Sequence, residues 1–468
     1  MSITKNLFRK NCHTIIAFLM LFWTSSIFYY SDIHSNIRQG INFWYALFSG
    51  DFFSYYSLNM QSVENGEMIH LANYDMVMNF FMGVWQIPLF IFEKITFLNS
   101  QDFLIGRIWG KGYLILCTLL AGNGLKKVAA ELDMEQSKCE NVCFMFVTSI
   151  TAFFCTGVIG QGDIIAVLFS IYALLYLFQK KTAKFLLFFI LAAQCKNFAL
   201  FIFIPIILYK EKNILRIAFQ TCLPVIITFL VELPFKLSDP IGVASKKPRF
   251  WSMIATMMER RITILGFDIP VLFILFVAIC MAAYLTYETD EHKDKKWVLF
   301  YGFVSILSLF LSMYMYAYWV IYLLPFTILF FFMDEKKLFS RWFLECFAYF
   351  SLIVGYIVTY PDHFDTNNMQ NMLLDKLLLH GYNNSYILND ISLFLKDYYH
   401  YNIWTLSYCV FIVWTIFISV TNCPRYVSMQ ASEEKNTFSL NTLLWIRAIA
   451  GFILVNIGVF FFLLEKLF

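Results

Sequence analysis

A succession of apolar runs, each near the ~20 residues a helix needs to cross a hydrocarbon layer, sets what this chain can fold into. The runs lie at 14–30, 104–125, 141–158, 163–179, 214–232, 269–286, 297–315, 318–333, 342–360, 403–420 and 440–463. A further run, 183–209, is interrupted by Gln194, Lys196 and Asn197, which predicts two short helices meeting at a polar turn. With 60% hydrophobic residues, 14% charged and a mean hydropathy of +0.64, a water-soluble fold would expose more apolar surface than water tolerates. The expectation is an all-α polytopic membrane protein. A net charge of +3 gives no reason to expect nucleic acid as a partner. None of the eleven cysteines falls in a long polar loop, so no disulfide framework is expected.

Basic residues between the runs set orientation, because lysine and arginine are retained on the cytoplasmic side. Seven islands qualify: Lys5/Arg9/Lys10, Lys126/Lys127/Lys138, Lys180/Lys181/Lys184, Lys210/Lys212/Arg216, Lys293/Lys295/Lys296, Lys336/Lys337/Arg341 and Arg425/Lys435. An even number of crossings must separate successive islands. The segment 76–92 violates that parity if it crosses, so it is expected to rest in the outer interface, interrupted by Trp85, Gln86 and Pro88. The count is then about thirteen transmembrane helices, with a cytoplasmic N-terminus acting as a retained signal anchor and the C-terminus outside.

Three long loops face outward on this scheme, at 31–75, 233–268 and 361–402. In the first, Ile37, Ile41, Trp44 and Phe48 recur at helical spacing, so a helix here would lay one apolar face on the membrane surface until Gly50 stops it. The second loop is cationic, with Lys236, Lys246, Lys247, Arg249, Arg260 and Arg261, on the side where basic residues are scarce. It asks for an anionic partner, either acidic membrane lipids or a specific phosphate.

Four features at the outer face carry chemistry. Asp32 follows the first span, with His34 two residues on; Gly160-Gln161-Gly162-Asp163 makes a tight turn expected to leave Asp163 at the surface. Lys196 sits at the polar break, where a lysine is costly unless it reaches the interface or a charge partner, and Arg260 and Arg261 close the basic loop. Transfer of a sugar from a lipid phosphate needs these residue types. The phosphate leaves without being protonated, so one carboxylate suffices to deprotonate the incoming hydroxyl, and lysine or arginine holds the phosphate. Each residue also has an ordinary reading: Asp32 as a helix-capping acid, Asp163 as a turn residue, Lys196 as a snorkelling lysine.

At these residues the chain resembles the GT-C superfamily of polytopic glycosyltransferases, in particular bacterial and PIG-M-like mannosyltransferase members. The resemblance lies in Asp32 just after the first span, in peripheral helices in the first outer loop, and in the run GQGDIIAVLFSIYALLYLFQKKTAKFLLFFILAAQCKNFALFIFIPIIL. Tyr318, Trp319 and Pro325 in YAYWVIYLLPF are similar to a late aromatic-proline helix of such proteins. The resemblance implies a GT-C-like fold with a catalytic transmembrane module at 1–235, including interfacial helices in 31–95, and a C-terminal transmembrane module at 236–468. It implies Asp32 as catalytic base and Asp163 as a second site acid. His34, Asp75, Lys196, Lys246, Lys247, Arg260, Arg261, Tyr318 and Trp319 would bind substrate.

The donor would be a polyprenyl-phosphate sugar and the acceptor a lipid, glycan or protein on the extracytoplasmic face. No cofactor is certain from the sequence, and a divalent metal is possible. The sequence leaves use of a divalent metal open, since no histidine pair shows ligand spacing such as H-x-x-x-H. The competing expectation is a transporter or flippase. Such proteins show two related halves with broken helices at the midplane, whereas the interrupted hairpin at Lys196 has no counterpart in 269–463.

Overall fold

The computed structural model describes residues 2–72, 74–245, 255, 258–264, 266–313, 315–333, 338–364, 366–369, 372–378, 387–399, 403–425 and 439–460. Helix α1 (Ser2–Ile27) is followed by a 94° bend into α2 (Ser31–Phe48), and Gly50, in the left-handed region at φ +80°, ends that helix. Helices α3 (Tyr55–Glu64) and α4 (Met76–Thr96) follow. Next come α5 (Leu104–Glu131) and α6 (Gln136–Val147), which runs on through a short turn into a π-helical stretch, Phe153–Ile159. Helices α7 (Asp163–Phe178), α8 (Thr182–Cys195), α9 (Phe198–Lys210) and α10 (Ile214–Ser238) follow, then the short α11 (Pro240–Ser245).

An antiparallel hairpin of β1 (Arg261–Ile264) and β2 (Phe267–Pro270), turning at Gly266 with φ +85°, interrupts the helical pattern. Beyond it lie α12 (Val271–Leu285), α13 (Glu291–Ser312), a 3₁₀ stretch Ala317–Tyr322, α14 (Leu324–Met333) and α15 (Leu338–Thr359). Short α16 (Leu373–Leu378), α17 (Ile387–Tyr399), α18 (Ile403–Thr421) and α19 (Leu440–Val455) finish the order. The break expected at Lys196 is present, between α8 and α9.

The protein is a helical, multi-pass membrane protein by the length and apolarity of its helices. Among the described residues seven helices are long and apolar enough to cross, or eight if the bent pair α1–α2 is one span. That is fewer than the thirteen crossings expected. Each run expected to cross is largely helical where the structure describes it, but α7, α8, α9, α12, α14 and α19 have only 10–17 residues, shorter than a full span.

Segment 76–92 also differs from expectation. It is one continuous helix within α4, and Trp85, Gln86 and Pro88 do not interrupt it. Trp85 stacks on Trp109 at 5.0 Å, and Gln86 donates to the Gly110 carbonyl at 3.0 Å, so α5 takes up those side chains. By length and hydropathy α4 qualifies as a span.

The apolar face of α2 packs on protein where lipid was expected. Ile37 and Ile41 are completely buried, Ile37 lying directly over Gly110, and only Phe48 is well exposed. Gly40 permits close approach to α4, where a Cβ would sit 2.7 Å from Gln86 Cγ and 3.1 Å from the Met82 backbone.

Polar side chains then tie the loop to the bundle. Arg38 bridges Glu67 at 2.5 Å and Glu93 at 2.7 Å. Glu232 of α10 accepts from the Tyr56 hydroxyl at 3.0 Å and from the Met76 amide at 2.9 Å. Asp239 accepts from the Ser57 amide and hydroxyl at 3.1 and 2.9 Å. Within the bundle, α15 and α19 are joined by a buried Glu345–Arg447 pair, with N···O distances of 2.7 and 2.8 Å.

Residues of three basic islands meet at one end. Lys180 pairs with Glu291 at 3.2 Å, Lys210 with Asp294 at 2.6 Å, and Lys295 donates to the Glu131 carbonyl at 2.6 Å. The C-terminus of α1 lies at the other end, where it meets the turn before α7.

Candidate functional site

At that other end a cavity of about 200 Å³ opens between α2, the segment before α4, the turn before α7, the α8–α9 break and the 3₁₀ stretch. Four of the residues expected from the sequence line it: Asp32, Lys196, Tyr318 and Trp319. Asp32 lies in the first turn of α2. The N-cap position of that helix is Tyr30, and no side chain caps it, so Asp32 is not the capping acid. Its carboxylate accepts from Gln161 Nε2, and its other oxygen lies 3.4 Å from His70 Nε2. Burial raises the Asp32 carboxyl above its ordinary value, opposed by His70, by the Gln161 hydrogen bond and by Lys196.

The turn before α7 brings Gln161 to Asp32. Gly160 has φ +73°, and a Cβ there would meet Ile33 Cβ at 2.6 Å, so conformation and space both require glycine. The Tyr74 hydroxyl donates to Gln161 Oε1 at 3.0 Å, which fixes the amide so that its NH₂ points at Asp32.

Asp163 is not at the surface. Its side chain is inaccessible at the first turn of α7, where the helix N-terminus favours an anion. It accepts from the Tyr322 hydroxyl at 3.0 Å and lies 3.3 Å from Lys196 Nζ. The interruption between α8 and α9, with Lys196 in an extended conformation, lets the lysine reach this carboxylate. The ammonium also lies 5.6 Å from the Trp319 ring centre and 6.0 Å from that of Tyr74.

No family model, curated protein or solved structure matches the chain. The site is therefore read from its own geometry.

The remaining sequence candidates among the described residues do not line this cavity. His34 bonds the Glu67 carbonyl at 3.1 Å and meets the Tyr29 ring edge-on. Asp75 immediately precedes α4. Arg260 donates to the Leu311 carbonyl and Arg261 to that of Met258, each at 3.2 Å, and both arginines are exposed. Lys246 and Lys247 lie outside the described residues. Among those residues no cluster of three or more His, Cys, Asp and Glu has the arrangement of a metal site.

Sequence reasoning missed Ser35, Asn36, Gln39, His70, Leu71, Tyr74 and Gln161, which complete the lining. Positions 32, 35, 36 and 39 are the polar complement of the apolar stripe at 37, 41, 44 and 48, so the helical period held the signal. His70 is placed by its backbone, whose amide donates to Ser35 Oγ at 3.0 Å.

Proposed function

We propose that this protein is a membrane glycosyltransferase that moves a sugar from a polyprenyl-phosphate donor to an acceptor hydroxyl at the face where α1 ends. The observation that carries the reading is the placement of a half-buried carboxylate, Asp32, and a largely buried cation, Lys196, in one small cavity. Asp32 takes the proton of the acceptor hydroxyl as its oxygen bonds to the sugar's anomeric carbon. The bond from that carbon to the phosphate oxygen breaks, and the electron pair leaves with polyprenyl phosphate. Lys196 stabilises the charge gained by the phosphate. Asp163 holds Lys196 in place, with Tyr322 behind it, and in this mechanism it does not touch substrate. A raised Asp32 carboxyl suits a base working near neutrality.

Thirteen crossings and an extracytoplasmic site belong to the same reading. Both ends of α4 are tied to the cavity end of the molecule, through Met76 to Glu232 and through Glu93 to Arg38. Gln101, just beyond α4, also accepts from the Tyr29 hydroxyl at 2.5 Å, next to the end of α1. A helix returned to the face it left supports counting α4 as peripheral. The lysine islands gathered at the opposite end support placing that end in the cytoplasm.

The test is transfer of radiolabelled sugar from a panel of polyprenyl-phosphate donors in membranes carrying wild type or Asp32→Asn. Loss of a general base lowers the rate by about 10²–10⁴-fold. Normal transfer by Asp32→Asn would remove Asp32 from the chemistry. No donor consumption by wild type would turn the search to lipid movement across vesicles.

A further inference from the structure

A second and larger cavity, of about 430 Å³, lies between α1, α5, α6 and the first turn of α19. It sits toward the lysine end of the bundle. There α5 ends at Glu131, whose side chain accepts from Gln179 at 2.8 Å and whose carbonyl accepts from Lys295 at 2.6 Å. The lining is divided along the helices: Lys126, Ser137, Glu140 and Asn441 stand at that end, and Ala17, Leu119, Phe144 and Val147 lie deeper. Along α5 the distance from Lys126 to Leu119 is about 10 Å at the helical rise. Neighbouring positions carry exposed apolar side chains, Phe18 and Leu19 on α1 and Leu116 and Leu120 on α5. Lipid tails are as apolar as leucine and cover such surface on a membrane-spanning chain, so they pass beside the deep end of the cavity.

We propose that this cavity binds one molecule of a phosphatidylethanolamine-type lipid, with its phosphate on Lys126, its primary ammonium on Glu140 and the start of one chain against Ala17, Leu119 and Val147. The volume falls within the ~300–1,000 Å³ of small-molecule sites, enough for the headgroup, the glycerol and the first methylenes, while the rest of each chain stays in the bilayer. Charge selects the headgroup. Lys126 and Glu140 form an ion pair whose side chains are 28% and 52% exposed, and Gln136 Nε2 donates to the same carboxylate oxygen at 3.0 Å. A phosphate alone would draw Lys126 away and leave Glu140 beside a second anion. A headgroup with its own ammonium exchanges partners instead, which makes two opposite-charge contacts where there was one. That ammonium is primary, because a quaternary one has no N–H to donate to the carboxylate. His13, also in the lining, packs its ring 5.2 Å from those of Phe144 and Trp445; a charge there would add to the pull on the phosphate. Asn123, Ser137 and Asn441 supply donors for the phosphate and ester oxygens.

Native mass spectrometry of the full-length protein in detergent micelles tests this with the dioleoyl forms of phosphatidylethanolamine, phosphatidylcholine and phosphatidylglycerol, beside glycerophosphoethanolamine, which is the headgroup without chains. Wild type retains the ethanolamine lipid at least about fivefold more tightly than the other two, the worth of one charged contact at a half-exposed site. Glu140→Gln brings the ethanolamine lipid down to the level of the choline lipid and raises retention of the glycerol lipid. Lys126→Gln weakens all three by about fivefold, since each carries the phosphate. Both positions are on the surface, where such substitutions leave folding intact. The chainless headgroup binds at least about tenfold more weakly than the lipid, because it leaves the apolar end unfilled.

Equal retention of the three lipids by wild type, a preference for the glycerol lipid, or an ethanolamine preference that survives Glu140→Gln would overturn the proposal. Binding of the chainless headgroup as tightly as the lipid would also overturn it and make the cavity a site for a soluble phosphoester. None of these results depends on sugar transfer, because Asp32 and Lys196 lie at the other end of the bundle.

Discussion

The Lys196–Asp163 pair gives the sharpest prediction because stability and function separate there. The carboxylate is inaccessible, the lysine side chain is 12% exposed, and the two are 3.3 Å apart. Lys196→Met leaves Asp163 charged in a site where the Tyr322 hydroxyl is one remaining donor and Oδ2 has no hydrogen-bond partner. Removing one member of a buried pair costs about 3–5 kcal/mol, most of it from the stranded charge. Asp163→Asn costs less, about 1–3 kcal/mol, because Lys196 keeps the rings of Trp319 and Tyr74 and the field of Asp32. In the double variant neither charge remains and the introduced amide oxygen still accepts from Tyr322, so the loss falls to about 1–2 kcal/mol. The coupling is then at least about 2 kcal/mol, read by SDS titration of unfolding in mixed micelles. The double variant is folded yet transfers no sugar, since the phosphate has lost its cation. Single losses that add to within about 0.5 kcal/mol of the double would refute the buried-pair argument.

Two further outcomes follow from neighbouring groups. Asp32 acts as a base only when ionised, so the acid limb of the kcat/KM profile follows its carboxyl, which burial sets above its ordinary value. A protonated His70 opposes that rise, so His70→Gln moves the limb to higher pH, and a shift to lower pH would contradict the assignment of Asp32 as base. Lys111, wholly buried in α5, donates to the carbonyls of Phe28 and Gly157, each at 2.6 Å. Lys111→Met unpairs both, at about 1–3 kcal/mol apiece, while removing a buried ammonium returns part of that, so SDS titration should show a net loss of about 1–3 kcal/mol. A variant as stable as wild type would mean that these carbonyls do not need the lysine.

What the sequence revealed and what it hid follow from range. Apolar runs are local, so the helices stand close to where hydropathy put them, and the break at Lys196 is present because two amides and a lysine cannot continue an apolar helix without partners. The face that α2 buries was misjudged, since periodicity reports that Ile37 and Ile41 are hidden but not from what; Gly110 and α4 cover them, not lipid. Glu232 and Asp239 look like stray acids near the end of an apolar helix, and their meaning lies in Tyr56, Met76 and Ser57, far away in the chain. The hairpin at 261–270 was missed because Thr263, Ile264, Phe267 and Ile269 sit within a charged loop too short for period-two alternation to stand out. Asp163 was expected at the surface because glycines flank Gln161, yet those glycines draw the turn inward under Ile33 and Met78.

Charge also dictates how substrates lie in the proposed site. Asp32 and Asp163 face one Lys196 and a half-exposed His70, so at neutral pH the fixed charges around the cavity do not favour an anion throughout. A phosphate finds attraction only on the Lys196 side, and repulsion from Asp32 keeps it there. The acceptor hydroxyl is neutral and is the group that needs a carboxylate, so it takes the Asp32 side. In the proposed mechanism the sugar lies between them. In that mechanism a carboxylate on one side of the sugar and a cation on the other would give the in-line order of base, anomeric carbon and departing phosphate. With acid and cation exchanged, the base would face the leaving group and the arrangement could not work.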